Sequence, residues 1–90
     1  MAVNKVLLLG TIAGLSYVEE AADKDGVARC NFTLAINDIE KVSFYKIKAE
    51  GKLSDMVYKY LSKGDAVLIE GKLMAGYVEA ENINFIRNQQ

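Results

Sequence analysis

The sequence predicts an all-β protein with one helix, a small five-stranded barrel in which the helix falls between the third and fourth strands. Three observations lead there. Apolar residues recur at every second position through most of the 90 residues, the period of a strand. One stretch, "KLSDMVYKYLSKG" (52–64), switches to the period of a helix. Two glycines, Gly10 and Gly71, interrupt apolar runs, as happens where a strand bends or another backbone comes close. Such bends let a small number of strands close on themselves.

Taken in order, "VNKVLLLGTI" (3–12) is a first strand, after which "SYVEE" allows brief further pairing. "DKDG" (23–26) is a polar cluster ending in glycine, suited to a hairpin turn. "VARCNFTLAIN" (27–37) places Ala28, Cys30, Phe32, Leu34 and Ile36 on one face and Arg29, Asn31, Thr33, Ala35 and Asn37 on the other. Cys30 reads as a small buried hydrophobe. "DIEK" (38–41) reverses the chain, and "EKVSFYKIKAEGK" (40–52) carries the third strand. There Tyr45, Ile47 and Ala49 are expected inside, with Phe44, Lys46, Lys48 and Glu50 outside.

In the helix, Leu53, Met56, Val57, Tyr60 and Leu61 form one apolar stripe expected to be core. Asp55 near its start and Lys59 and Lys63 near its end suit the helix dipole, and Gly64 is the expected stop. "AVLIEGKLM" (66–74) and "YVEAENINFIR" (77–87) return to strands around the tight turn "AG" (75–76). Five strands with a helix between the third and fourth is the order of the OB-fold, a Greek-key barrel, here expected as one domain over 1–90.

Composition narrows the function. Half the residues are apolar, 26% are charged and the formal net charge is −1, so affinity for a polyanion requires a local patch. One exists: residues 41–52 hold Lys41, Lys46, Lys48 and Lys52 against Glu50 alone, whereas 15–40 hold six acids against Lys24 and Arg29. With Cys30 the only cysteine and no histidine, an intrachain disulfide, the common zinc sites and the usual Ser-His or Cys-His pairs are excluded. The sequence names no nucleophile–base pair, metal or cofactor, so it points away from an enzyme. "MAVNKVLLLGTIAGLSYVEEAA" resembles a secretory leader. Its apolar run is too short to span a bilayer, and Glu19 and Glu20 stand where a cleavage site prefers small neutral residues. A buried first strand and a cytoplasmic location are expected.

Phe44, Lys46 and Lys48 on one strand face combine a ring for a base with cations for phosphates. Lysines on an edge strand also guard against aggregation. Arg29, Asn31 and Thr33 form a polar stripe that suits the same groove or plain solvent. Tyr77 suits stacking or packing. In the first strand, if Val6, Leu8 and Ile12 point inward, Val3, Lys5, Leu7, Leu9 and Thr11 do not, which exposes Leu7 and Leu9. An apolar strand face of this kind marks an interface between copies.

"NKVLLLG" (4–10), "NFTLAIN" (31–37), "EGKLSDMVYKYLSKGDAVLIEGKL" (50–73) and "AENINFI" (80–86) resemble, in the same order, the bacterial single-stranded-DNA-binding proteins. The resemblance implies a non-catalytic homo-oligomer, usually a tetramer, with first strands paired between subunits. It also implies barrels that bind single strands without sequence preference, in replication, recombination and repair. By position, Phe44 matches a base-stacking aromatic and Lys46 a basic residue on the same strand. Lys5 and Lys52 match the lysines of the "NK" and "GK" words, and Lys72 repeats the latter. The expected DNA-binding set is Lys5, Arg29, Asn31, Thr33, Phe44, Lys46, Lys48, Lys52, Lys72 and Tyr77, and the expected oligomer interface is Val3, Lys5, Leu7 and Leu9.

The departures carry as much information. Glu50 stands where the family usually has a second stacking ring, and is expected to pair with Lys48, Lys52 or a lysine of a neighbouring strand. The loop "DIEK" lacks the family's ring, the long finger between strands four and five has shrunk to "AG", and the sequence stops at "FIRNQQ", naturally or by trimming, before the acidic tail with an aromatic tip that the resemblance implies. Each lost platform costs about 1–3 kcal/mol per base, so weak and strongly salt-dependent binding is expected. Two alternatives stay open: a primosome-like accessory that contacts replication proteins, and a protein-interaction module with no DNA binding.

Overall fold

The computed structural model describes residues 2–18 and 28–86, with the side chains of 16–18 left aside, and the expected turn at 23–26 lies outside the described residues. The elements are β1 (Val6–Val18), β2 (Arg29–Asn37), β3 (Val42–Glu50), α1 (Lys52–Tyr60), β4 (Ala66–Met74) and β5 (Tyr77–Phe85). The strands close into a barrel in the order β1-β2-β3-β5-β4, the OB-fold that the sequence predicts.

Closure with five strands depends on β1 serving two partners. Its first half, Val6 to Thr11, pairs antiparallel with β4, and its second half, Thr11 to Val18, pairs with β2. The strand thus runs past the expected end at 12, and "SYV" is a full part of the ladder. A bulge between Ile12 and Gly14 sharpens the turn from one partner to the other. Gly10 and Gly71 are points of close backbone approach. A Cβ on Gly10 would stand 2.5 Å from the Ala35 carbonyl oxygen, and one on Gly71 would overlap the carbonyl of Glu79. The ring is completed by a short parallel contact of β3 with β5, at Ile47↔Val78 and Lys48↔Glu79.

Inside lie Ile12, Leu34, Ile47, Ile69 and Val67, with Cys30 and Phe32 beside them. Burying each large aliphatic side chain contributes about 1.5–3 kcal/mol. Helix α1 packs against β2, β3 and β5, turning Val57 inward and half-burying Leu53 and Met56, while Leu61 follows it into the core.

Three expectations need correction. Tyr45 is 42% exposed rather than core, because β3 meets β5 only from Ile47 onward, so its first half has β2 as its one partner strand and leaves a free edge. Tyr60, the outermost member of the helix stripe, is also exposed. It ends the last turn beyond the barrel wall and leans on Phe85, with ring centroids 6.3 Å apart. The helix itself stops at Tyr60, with Leu61 extended as its cap. Gly64 and Lys63 therefore belong to the turn before β4, where the Gly64 N–H donates to the Ile12 carbonyl.

Candidate nucleic-acid interface

The alternation of β2, β3 and β5 fixes which side chains share the outer wall at the point of closure. Val78 and Ala80 face the core, so Tyr77 and Glu79 face out. Pairing then builds rows across the wall: Thr33 beside Lys46, Asn31 beside Lys48 with Glu79 beyond it, and Arg29 beside Glu50. A cleft of about 350 Å³ opens over the last two rows, lined by Arg29, Asn31, Lys48, Glu50, Tyr77 and Glu79, with Cys30 and Ala49 in its floor. A broader, shallower groove of about 800 Å³ continues from it past Thr33, Lys46 and the Gly76 turn, sharing Asn31, Lys48 and Tyr77. Phe44 stands at the far end, 63% exposed on the half of β3 that β5 does not reach, beside a small apolar slot that it shares with Lys46 and Tyr77.

Six of the expected residues, Arg29, Asn31, Thr33, Lys46, Lys48 and Tyr77, therefore line one continuous groove, with Phe44 adjoining. Three lie elsewhere. Lys5 precedes β1 and pairs with Glu70 at 3.3 Å, Lys72 sits 3.7 Å from Glu81, and Lys52 opens the helix past the β3 corner. None of the three lines the groove. Lys52 also fails as the partner of Glu50, as does Lys48: the Arg29 Nε donates to Glu50 Oε2 at 2.7 Å. Arg29 and Glu50 are register partners on neighbouring strands, which settles the pairing. Lys48 is held differently, its Nζ 4.2 Å above the Tyr77 ring, a cation–π contact that keeps ring and ammonium in the groove wall.

Glu79 was not among the expected site residues, although the alternation of "YVEAEN" places it on the same face as Tyr77. Beneath the wall, Cys30 is closed to solvent, and burial pushes its thiol above the usual cysteine range; Ser54 and the Ala49 backbone pull the other way but less. The contact with Ser54 is loose, since the buried Ser54 hydroxyl makes no hydrogen bond of good geometry among the described residues.

On the opposite wall, Leu7 and Leu9 point outward, 63% and 60% exposed, across from Glu70 and Leu68 of β4. Val3 is also exposed and precedes the strand.

A closed barrel with its helix after β3 and a groove of cations and rings across β2, β3 and β5 defines the OB-fold class, which binds oligonucleotides over this face. Residues 3–89 match the single-strand binding protein family, and the chain belongs to that family. It is 37% identical over 79 residues to single-stranded DNA-binding protein 1 of Chlorobaculum tepidum, covering 78% of this chain and 48% of that one. It is 33% identical over 90 residues to the single-stranded DNA-binding protein of Treponema pallidum, covering 88% and 48%. The chain thus spans about half the length of these curated relatives. The crystal structure of the wild-type single-stranded DNA binding protein from Thermus aquaticus superposes with a TM-score of 0.84 at 25% identity, over 98% of this chain and 42% of that one. No helix among the described residues is long and apolar enough to cross a membrane.

Proposed function

We propose that this protein binds single-stranded DNA in the cytoplasm as a non-catalytic partner of replication, recombination or repair, largely without regard to sequence. One observation carries the reading: the groove at the barrel's closure joins Lys46, Lys48, Thr33, Asn31 and Tyr77 in one wall and ends at the exposed Phe44 ring. Rings serve as platforms for bases and the ammonium groups neutralise phosphates. The family and the names of its relatives support the same reading. Binding is weak and salt-dependent, because Glu50 replaces a ring with a carboxylate and engages Arg29.

The paired Leu7 and Leu9 support a homo-oligomer built through β1, a dimer or a tetramer. The same Arg29–Glu50 pair favours a second reading, an accessory that binds DNA weakly and acts by contacting replication proteins.

The test is fluorescence anisotropy of a labelled oligo-dT against the protein at low and moderate salt. Saturable binding that weakens steeply with salt is expected, with duplex binding less well. No binding at low salt by the intact oligomer leaves only the protein-contact role.

A further inference from the structure

Glu79 is a half-buried carboxylate in the cleft that the Arg29–Glu50 pair also lines. Its register neighbours are Lys48 on β3 and Lys72 on β4, yet the Lys48 ammonium sits over the Tyr77 ring and Lys72 reaches Glu81, and Glu79 makes no side-chain hydrogen bond or ion pair among the described residues. A carboxylate repels the DNA backbone. It is matched by a base edge that presents donors, and the row to which it belongs specifies which one.

We propose that the cleft between Arg29 and Glu79 is a base pocket that favours guanine, with Glu79 and Lys48 reading its Watson–Crick edge. The inference rests on the single-strand reading above and refines it at one nucleotide. Along that edge guanine offers two donors, N2–H and N1–H, followed by the acceptor O6. Glu79 presents two adjacent acceptor oxygens, and Lys48, its register partner on β3, carries N–H donors in the same cleft. The order of donors and acceptors corresponds. Thymine reverses it, placing a carbonyl on each side of its single N–H and so facing the carboxylate with like partial charge. Cytosine and adenine each bring one amine and lack the second donor. The cleft, about 350 Å³ and bounded by Asn31 and Tyr77, is wide enough for one base beside the continuing groove. The Arg29–Glu50 pair closes its far side, so Glu79 is the cleft carboxylate without a cation on it.

Anisotropy titrations with labelled dT tracts carrying one central dG, dC, dA or deoxyinosine, against an all-dT tract, test this. A bidentate contact discriminates against the wrong base, and the dG tract is expected to bind about five- to tenfold tighter than all-dT, the lower end of what such a contact gives. Deoxyinosine, which lacks the N2 amine, falls between them. In Glu79→Gln the dG-to-dT ratio falls to about one, because an amide offers one acceptor where two are needed. Equal affinity for all tracts, or a guanine preference that survives Glu79→Gln, overturns the base pocket and leaves single-strand binding standing. Failure of every tract to bind overturns both. The comparison of tracts on the unaltered protein decides the matter even if the variant folds poorly.

Discussion

Arg29 and Glu50 face each other across β2 and β3, and Arg29 Nε donates to Glu50 Oε2 over 2.7 Å. Both side chains are partly exposed, so the pair contributes little to stability, about 0–1 kcal/mol. Its effect is on charge: the guanidinium nearest the cleft floor carries a counter-charge from the protein itself. Glu50→Gln removes that counter-charge and is expected to tighten oligo-dT binding several-fold and steepen the salt dependence. One more neutralised phosphate adds about 0.7 to the slope of log affinity against log salt for a single strand. Titrations at four salt concentrations give the slope; an unchanged slope and affinity place Arg29 off the phosphate path. Glu50→Phe adds a ring as well and is expected to bind more tightly still.

Phe44 stands 63% exposed on the free-edged half of β3, outside the stretch where β5 closes the barrel. With so little of the ring buried, Phe44→Ala leaves the melting temperature of the protein nearly unchanged. Losing one stacking platform costs about 1–3 kcal/mol in oligo-dT affinity. Paired melting curves and titrations separate two roles. A fall in stability with affinity intact would mean that a neighbouring subunit covers the ring.

Leu7 and Leu9 present an apolar strand face opposite the groove. Leu9→Glu puts a charge into any contact made there while leaving the barrel core, which lies on the other side of β1, untouched. Sedimentation velocity is expected to show an oligomer for the unaltered protein and monomers for Leu9→Glu. An oligomer of the same size in both would move the interface to another surface.

The fold was legible because each signal is local: the alternation of "NFTLAIN", the helical spacing of Leu53, Met56 and Val57, and the interrupting Gly10 and Gly71 all depend on a few neighbours in sequence. Cross-strand facts were not. The partner of Glu50 follows from a register that joins residues 29 and 50, whereas the sequence alone points to Lys48, Lys52 or a lysine of a neighbouring strand. Tyr45 and Tyr60 have the right parity for the core, but parity says which way a side chain points and not whether the barrel extends far enough to cover it. That Phe44, Lys46 and Lys48 share one strand face is readable from that strand alone. Lys5, Lys52 and Lys72, taken from short sequence words, lie off the groove because a word carries no direction in space.

Gly71 lies where β4 passes against the Glu79–Ala80 backbone, and a Cβ there would overlap the Glu79 carbonyl and stand 3.2 Å from the Ala80 Cα. Backbone atoms cannot turn aside as a side chain can, so β4 and β5 must separate. Gly71→Ala is expected to cost about 1–3 kcal/mol, the range for overpacking. Gly14→Ala is the control: nothing among the described residues lies within 4 Å of its Cβ position, and little change is expected. Urea melts of both variants check the contrast, and similar midpoints would show that the strands tolerate the methyl group.

Cys30 gives the protein a dependence on alkaline pH. Burial raises its thiol above the usual range in the folded state, against the weaker pull of Ser54 and the Ala49 backbone. An acid whose folded value is raised contributes its full stability below the unfolded value, about 8.5 for cysteine. As pH rises past that point the unfolded chain loses its proton first, and stability falls until the folded value is passed. Urea melts between pH 7 and 9.5 are expected to show this decline, and Cys30→Ala to flatten it, although the variant starts less stable for want of the buried sulfur. Parallel decline in both proteins would assign the effect to other groups. A thiol reagent gives an independent reading: with Cys30 0% exposed, modification is expected to track the opening of the barrel and to speed up as urea is added.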